Sequence, residues 1–174
     1  MIELSVIRDL VAIFGVIAGL SYYILTVRNA NRARKQTIVD QFHQHFAGQE
    51  NQRIFIELLQ MEWNDYEDYL NKYDSEANID NYTKRAHMWG ACSRIGYAIY
   101  QGNVDVETVL NLIGYPGIWF LWNKFKPIIL EDRKRYGDPV YFRWFEYLAE
   151  ELGKERIRQG LPAAALDPDE YTTN

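Results

Sequence analysis

Hydrophobic positions in this 174-residue chain follow two patterns, one unbroken and one periodic. From Leu10 to Val27 no residue carries a charge, and ten of these eighteen are Leu, Ile, Val or Phe. A helix of that length reaches about 27 Å, close to the roughly 30 Å of a bilayer's hydrocarbon layer. Ten such side chains favour insertion by about 3 to 6 kcal/mol, before the small costs of Ser21, Thr26 and the glycines. The stretch therefore predicts a membrane anchor made of Leu10, Val11, Ile13, Phe14, Val16, Ile17, Leu20, Tyr22, Tyr23, Ile24, Leu25 and Val27. Tyr22 and Tyr23 fall in its last two turns, near where amphipathic rings settle at the headgroups. Arg8 and Asp9 mark the other edge.

Two rival readings fit less well. A secretion signal has a basic start, a short apolar centre and a small-residue cleavage site. The string "VIA" ending at Ala18 offers such a site, but the apolar run continues for nine more residues and the basic cluster comes after it. A soluble helix that is apolar all round needs a large protein to cover it. Orientation follows from the flanks, because Arg28, Arg32, Arg34 and Lys35 crowd one end. Basic flanks stay in the cytoplasm, so the amino terminus is expected outside and residues 28 onward inside a single-pass cell-membrane protein. Gly15 and Gly19 form G-x-x-x-G with Ala12 on the same face, a smooth strip that lets a second helix approach closely.

Beyond the anchor the apolar positions recur at helical spacing. Nothing between Gly19 and Gly48 breaks a helix, and Ile38, Phe42 and Phe46 make a stripe suited to packing. A helix over roughly Gln52 to Trp63 follows, and "NDYEDYLNKYD" extends it or forms a short one of its own. Ile79 to Tyr100 reads as a long helix with Tyr82, Ala86, Trp89, Ser93, Gly96 and Tyr100 near one face. Val106 to Ile113 reads as a compact one, capped by Asp105 or Asn103 and stopped by Gly114. Pro116 suits a first turn, whereas Pro127 should kink or interrupt the helix around it. Asp138-Pro139 is the expected start of a last helix ending near Gly160. With no alternating strand pattern and no repeat, the fold class is all-α. A single N-terminal transmembrane helix continues into a cytoplasmic helical bundle. The expected division is 1–27 for the anchor, 28–160 for the helical domain and 161–174 for a polar tail.

Composition narrows the chemistry. Five Trp and thirteen Tyr within a 15% aromatic content favour a packed interior over disorder. The single cysteine, Cys92, excludes an internal disulfide and reads as a small core residue in a reducing compartment. A net charge of −5 argues against nucleic acid as a partner. Seven acids between Met61 and Tyr82 invite a calcium reading, but from Asp74 the loop pattern fails, with Ile79 in place of Gly and Arg85 in place of Glu. A solvated acidic face, suited to a basic partner, is the better reading. His43 and His45 point about 200° apart on a helix and do not share a metal easily. No H-E-x-x-H, G-x-S-x-G, P-loop or G-x-G-x-x-G occurs, so no catalytic residue, metal or cofactor is assigned. The ring-rich segment Ile118 to Leu130 reads as bundle core, with an interfacial membrane contact as its alternative.

The segments "SYYILTVRNANRARK", "IGYPGIWFLWNKFKPII" and "GDPVYFRWFEYLAEEL" together resemble a loose family of small single-span prokaryotic membrane proteins of unknown function. The resemblance implies a helical cytoplasmic domain on a membrane anchor and carries no catalytic residues. The reading that results is a membrane-tethered module that binds another protein or itself. Ala12, Gly15 and Gly19 are its candidate helix contact, with the bilayer and a protein or second copy as partners. The alternative is an anchored small-ligand sensor or enzyme with a pocket among Tyr82, His87 and Trp89.

Overall fold

The computed structural model describes residues 4–162, and these contain seven α-helices and no strand. The tail's residues 163–174 and the first three residues lie outside the described set, as do the side chains of residues 4–7, Leu10, His45 and Tyr115. The fold is all-α. Two compact units divide between Ile38 and Val39. The first is the leading part of α1 (Leu4–Ala47), one continuous helix to the residue before Gly48.

The second unit is a helical bundle, α2 (Gln49–Leu59) through α7 (Arg143–Arg158), onto which Val39, Phe42 and Phe46 of α1 pack. Three of its helices begin where short polar side chains take up free backbone N–H groups. Asp65 accepts from Asp68 N to start α3 (Tyr66–Tyr73), Asn78 from Asn81 N to start α4 (Ile79–Tyr100), and Asp105 from Thr108 N to start α5 (Val106–Ile113). The broadest helix–helix contact is between α4 and α7. Gly96 permits it, since a Cβ there would meet the backbone carbonyl of Trp144. The core beneath holds Met88, Cys92, Ile95, Phe125, Phe145 and Leu148, all fully buried. Cys92 is a core residue whose thiol burial pushes its pKa well up, so it holds its proton at neutral pH.

Three expectations need correction. The helix predicted over Gln52–Trp63 instead spans Gln49–Leu59, and Met61 reaches the core from the segment after it. Pro127 does not interrupt α6 (Tyr115–Tyr136), which runs through it. The proline and Asn123, whose carbonyl loses a helical donor, are both exposed, so water can serve that carbonyl. Asp138-Pro139 does not start α7. Asp138 accepts from Val140 N and Tyr141 N, which closes a turn, and the helix begins at Arg143. Phe142 before it sits at φ 51°, a left-handed conformation unusual for a bulky residue. Gly137 ends α6 in the same region without that strain, with Asp138 N bonding Arg133 O. The acidic run is solvated as expected, with Glu62, Asp65, Glu67, Glu76 and Asp80 exposed, and several of its members are also paired. Asp65 caps α3, Asp68 pairs with Lys72, Asp74 with Arg135, and Asp80 with Lys84.

Candidate functional site

α1 displays what a soluble helix covers. By length and composition it is long and apolar enough to cross a membrane, and none of its most apolar window is buried. From Val11 to Val27 every residue is exposed, Phe14 at 69% and Tyr22 at 74%. Arg28, Arg32, Arg34 and Lys35 follow on the same helix, exposed as well. Its hydroxyls are served from within, Thr26 donating to Tyr22 O at 2.8 Å. Ala12 is exposed, and a Cβ built on Gly15 or Gly19 meets nothing within 4 Å. That strip is open to a neighbour.

Of the three residues proposed for a pocket, the structure brings two together. Tyr82 and Trp89 line a cavity of about 20 Å³ between α3, α4 and α6, whereas His87 is exposed and not among its lining. The centre of this cavity is Arg85, only 4% exposed. Its guanidinium lies 4.6 Å from the Tyr69 ring centre, 5.3 Å from Trp89 and 5.5 Å from Tyr82. Rings hold a cation by their negative faces, so the three supply part of the solvation that Arg85 gives up. Arg85 also donates Nη2 to Tyr73 O at 2.8 Å. Burial pushes its pKa down to about 10, which leaves it charged at neutral pH.

The opposing charge is Asp132 of α6, also buried. Its Oδ1 accepts from the Tyr66 hydroxyl at 2.6 Å. Burial raises the Asp132 carboxyl above its ordinary range, while Tyr66 and the nearby Arg85 oppose that rise. Tyr66 is pushed up to about 12, by burial first and then by the carboxylate it serves. Asp74 and Arg135 pair at 2.9 Å next to this group. The arrangement fixes α3 to α4 and α6 by charge and hydrogen bonding. The sequence reading missed Arg85 and Asp132. The signal for Arg85 was present, a cation with rings three residues before and four after it on one helix face.

A second feature is on the outside of α4 and α7. Tyr97, Tyr100, Trp144 and Tyr147 form one ring cluster, with Tyr100 and Trp144 centred 4.6 Å apart. Arg143 lies 4.4 Å over Trp144, and Tyr97 and Tyr100 are about half exposed, at 48% and 58%. Tyr100 falls on the helix face expected to hold Tyr82, Trp89 and Gly96, but is exposed. It lies outside because the helix reaches the bundle's edge there, two residues before Gly102 ends it. In the segment Ile118–Leu130, by contrast, Ile118, Leu121, Trp122, Phe125, Ile128 and Ile129 are core, while Asn123, Lys126, Pro127 and Leu130 are exposed. Trp122 is 5% exposed and stacks edge-on to Phe145 at 5.1 Å, so it meets nothing outside. Among the described residues no group of three or more His, Cys, Asp or Glu could hold a metal.

Residues 9–152 match the family model described as Domain of unknown function (DUF4760). No curated protein and no solved structure matches the chain.

Proposed function

We propose that this chain, which belongs to the DUF4760 family, is a membrane-tethered helical module that binds another protein or a second copy of itself. The observation that carries the reading is the stretch Val11–Val27, apolar and exposed at every position. Water tolerates no such surface, and a bilayer does. The basic flank after Val27 puts the helical domain on the cytoplasmic side. The helix contact is the strip Ala12, Gly15, Gly19, where at most a methyl group stands between the backbone and an approaching helix. The rings over α4 and α7 with Arg143 have the composition of binding hot spots and offer a second contact. What speaks against a small-ligand site among Tyr82, His87 and Trp89 is the size of the Arg85 cavity, about 20 Å³. That space suits one water, against roughly 300 Å³ or more for a metabolite pocket.

The test uses the full chain in native membranes. Alkaline washing should leave it in the membrane, and protease added from outside should spare the domain after Val39. Mild detergent should then release it with a stoichiometric companion or as a homo-oligomer. That assembly should be lost when Gly15 and Gly19 are both changed to Ile. Release by alkaline washing would remove the anchor. A lone monomer in mild detergent would remove the interaction.

A further inference from the structure

We propose that the basic face of α1 just past the apolar run, Arg28, Arg32 and Lys35, is a binding site for the headgroups of anionic phospholipids. It rests on the reading of Val11–Val27 as a membrane span and adds a chemical preference to it. Positions i, i+4 and i+7 fall on one side of a helix, so the three cations stand in a row, with Arg34 turned to another side. All four are exposed, and no acid lies between Leu10 and Val39.

The pairing of charges carries the argument. From Arg53 onward every lysine and arginine except Arg94 and Lys126 has a carboxylate, a backbone carbonyl or a ring against it. Lys84 even serves two acids, Glu57 and Asp80. Arg28, Arg32, Arg34 and Lys35 meet no such partner among the described residues. The bundle uses up its cations internally, and α1 leaves its own for something outside the chain.

Position and side-chain type identify that partner. α1 is one continuous helix here, so Lys35 stands about 10 Å along the axis from Arg28. The headgroup layer outside the hydrocarbon is about 5–8 Å thick on each side. Arg28, next to Val27, therefore enters at the depth of the phosphates, and the row leaves that layer near Lys35. Two of the three are arginines, whose planar fork meets two phosphate oxygens with parallel N–H groups. An orientation signal needs only the number of basic residues on one side of the membrane, whereas an acid-free row on one helix face is a surface for contact. The span itself brings a headgroup to that height, and an acidic protein would have to reach it.

The experiment places the full chain in liposomes of mixed phosphatidylcholine and phosphatidylglycerol and checks insertion by flotation. Both leaflets share one composition, so orientation does not enter. Mild detergent then releases the protein, and mass spectrometry measures the lipids that stay with it. The expected result at about 0.1 M salt is phosphatidylglycerol enriched about fivefold over the input, the factor by which a basic residue near the surface favours an anionic one. At about 1 M salt, where screening is complete within about 3 Å, the ratio should fall to the input. Arg28→Gln with Arg32→Gln and Lys35→Gln should remove the enrichment, and Arg94→Gln with Lys126→Gln should keep it. A chain that does not float removes the span and this site with it. One that floats but keeps lipid at the input ratio overturns this inference alone. Enrichment unchanged in the α1 variant overturns it too: if lost instead with Arg94 and Lys126, the lipid contact is on the bundle, and if kept in both, the row is left to an acidic protein.

Discussion

The stretch Leu10–Val27 and helix α4 are similar in length and opposite in treatment. The first has no charge and buries none of its described side chains. The second carries Asp80, Lys84, Arg85 and Arg94, and still buries eight residues, one of them the arginine. Apolarity alone therefore does not decide what lies inside this molecule. Neighbours do, and the glycines show it. Around Gly15 and Gly19 a Cβ would find open space, whereas at Gly96 it would strike the carbonyl of Trp144. The same residue type marks an unoccupied contact in one helix and a completed one in the other.

The most severe way to break this contrast is to remove a ring from each side of it. Phe145 is fully buried in the core beneath α4 and α7. Phe145→Ala should cost the domain about 3–5 kcal/mol, through lost burial and the cavity left behind. Phe14, 69% exposed, has no protein neighbours to lose, so Phe14→Ala should leave the domain's unfolding unchanged. Urea unfolding of the full chain in mild detergent measures both. Equal losses would mean that the two units are not separate in stability.

The glycines sharpen the same point at smaller cost. Gly96→Ala should destabilise by about 1–3 kcal/mol, because backbone must move where α4 meets α7. Gly19→Ala should change the domain's melting by nothing measurable while leaving room for weaker or stronger helix association. A Gly96→Ala protein as stable as the parent would show that α7 is free to shift away.

How much of this was legible depended on the range of the forces involved. Elements set by local hydrogen bonding were the most readable, with Asp105 one of two caps offered for α5. Asp105 starts α5 and Gly114 stops it, and α4 runs from Ile79 to Tyr100, because caps and glycine turns act within a few residues of their own positions. The start of α7 was misread for a related reason. Asp138-Pro139 is a valid local start signal, but Arg133 donating to Tyr141 O and to Glu146 holds the segment as a turn. That bond comes from the preceding helix and cannot be seen from Asp138 outward. In the acidic run, Asp68 with Lys72 and Asp80 with Lys84 are pairs four residues apart and open to a local reading, whereas Arg135, the partner of Asp74, lies far along the chain. For Arg85 the rings of Tyr82 and Trp89 were a local signal, but nothing local says that Tyr69 and Asp132 will fold around it.

Among the caps, Asp65 offers a contrast with the buried wiring that it leads into. Its side chain accepts from Asp68 N at 2.9 Å and starts α3, the short helix that carries Tyr69 to the Arg85 cavity and Tyr66 to Asp132. Asp65→Ala should cost about 1 kcal/mol. Asp65→Asn, which still accepts, should cost less. A loss in Asp65→Ala as large as that of Phe145→Ala would mean that α3 holds up the core instead of resting on it.

The subtlest test reads that wiring through pH. Tyr66 donates to Asp132 and keeps its proton to about 12, against an ordinary value near 10, with burial the larger cause and the carboxylate the second. The contribution is therefore complete below pH 10, where folded and unfolded chains both hold the proton. It falls as the pH rises through about 12, because the unfolded chain has already released its proton and the folded one must follow. Tyr136 and Tyr141 are raised by burial in the same neighbourhood, so the alkaline slope is shared. Tyr66→Phe should flatten its part of it. The difference in phenolate absorbance between parent and variant should titrate near 12, and a midpoint near 10 would mean that Tyr66 does not serve Asp132 in solution. Because the ring is only half-buried, solvent weakens the linkage, and the stability change should be the smallest of the set.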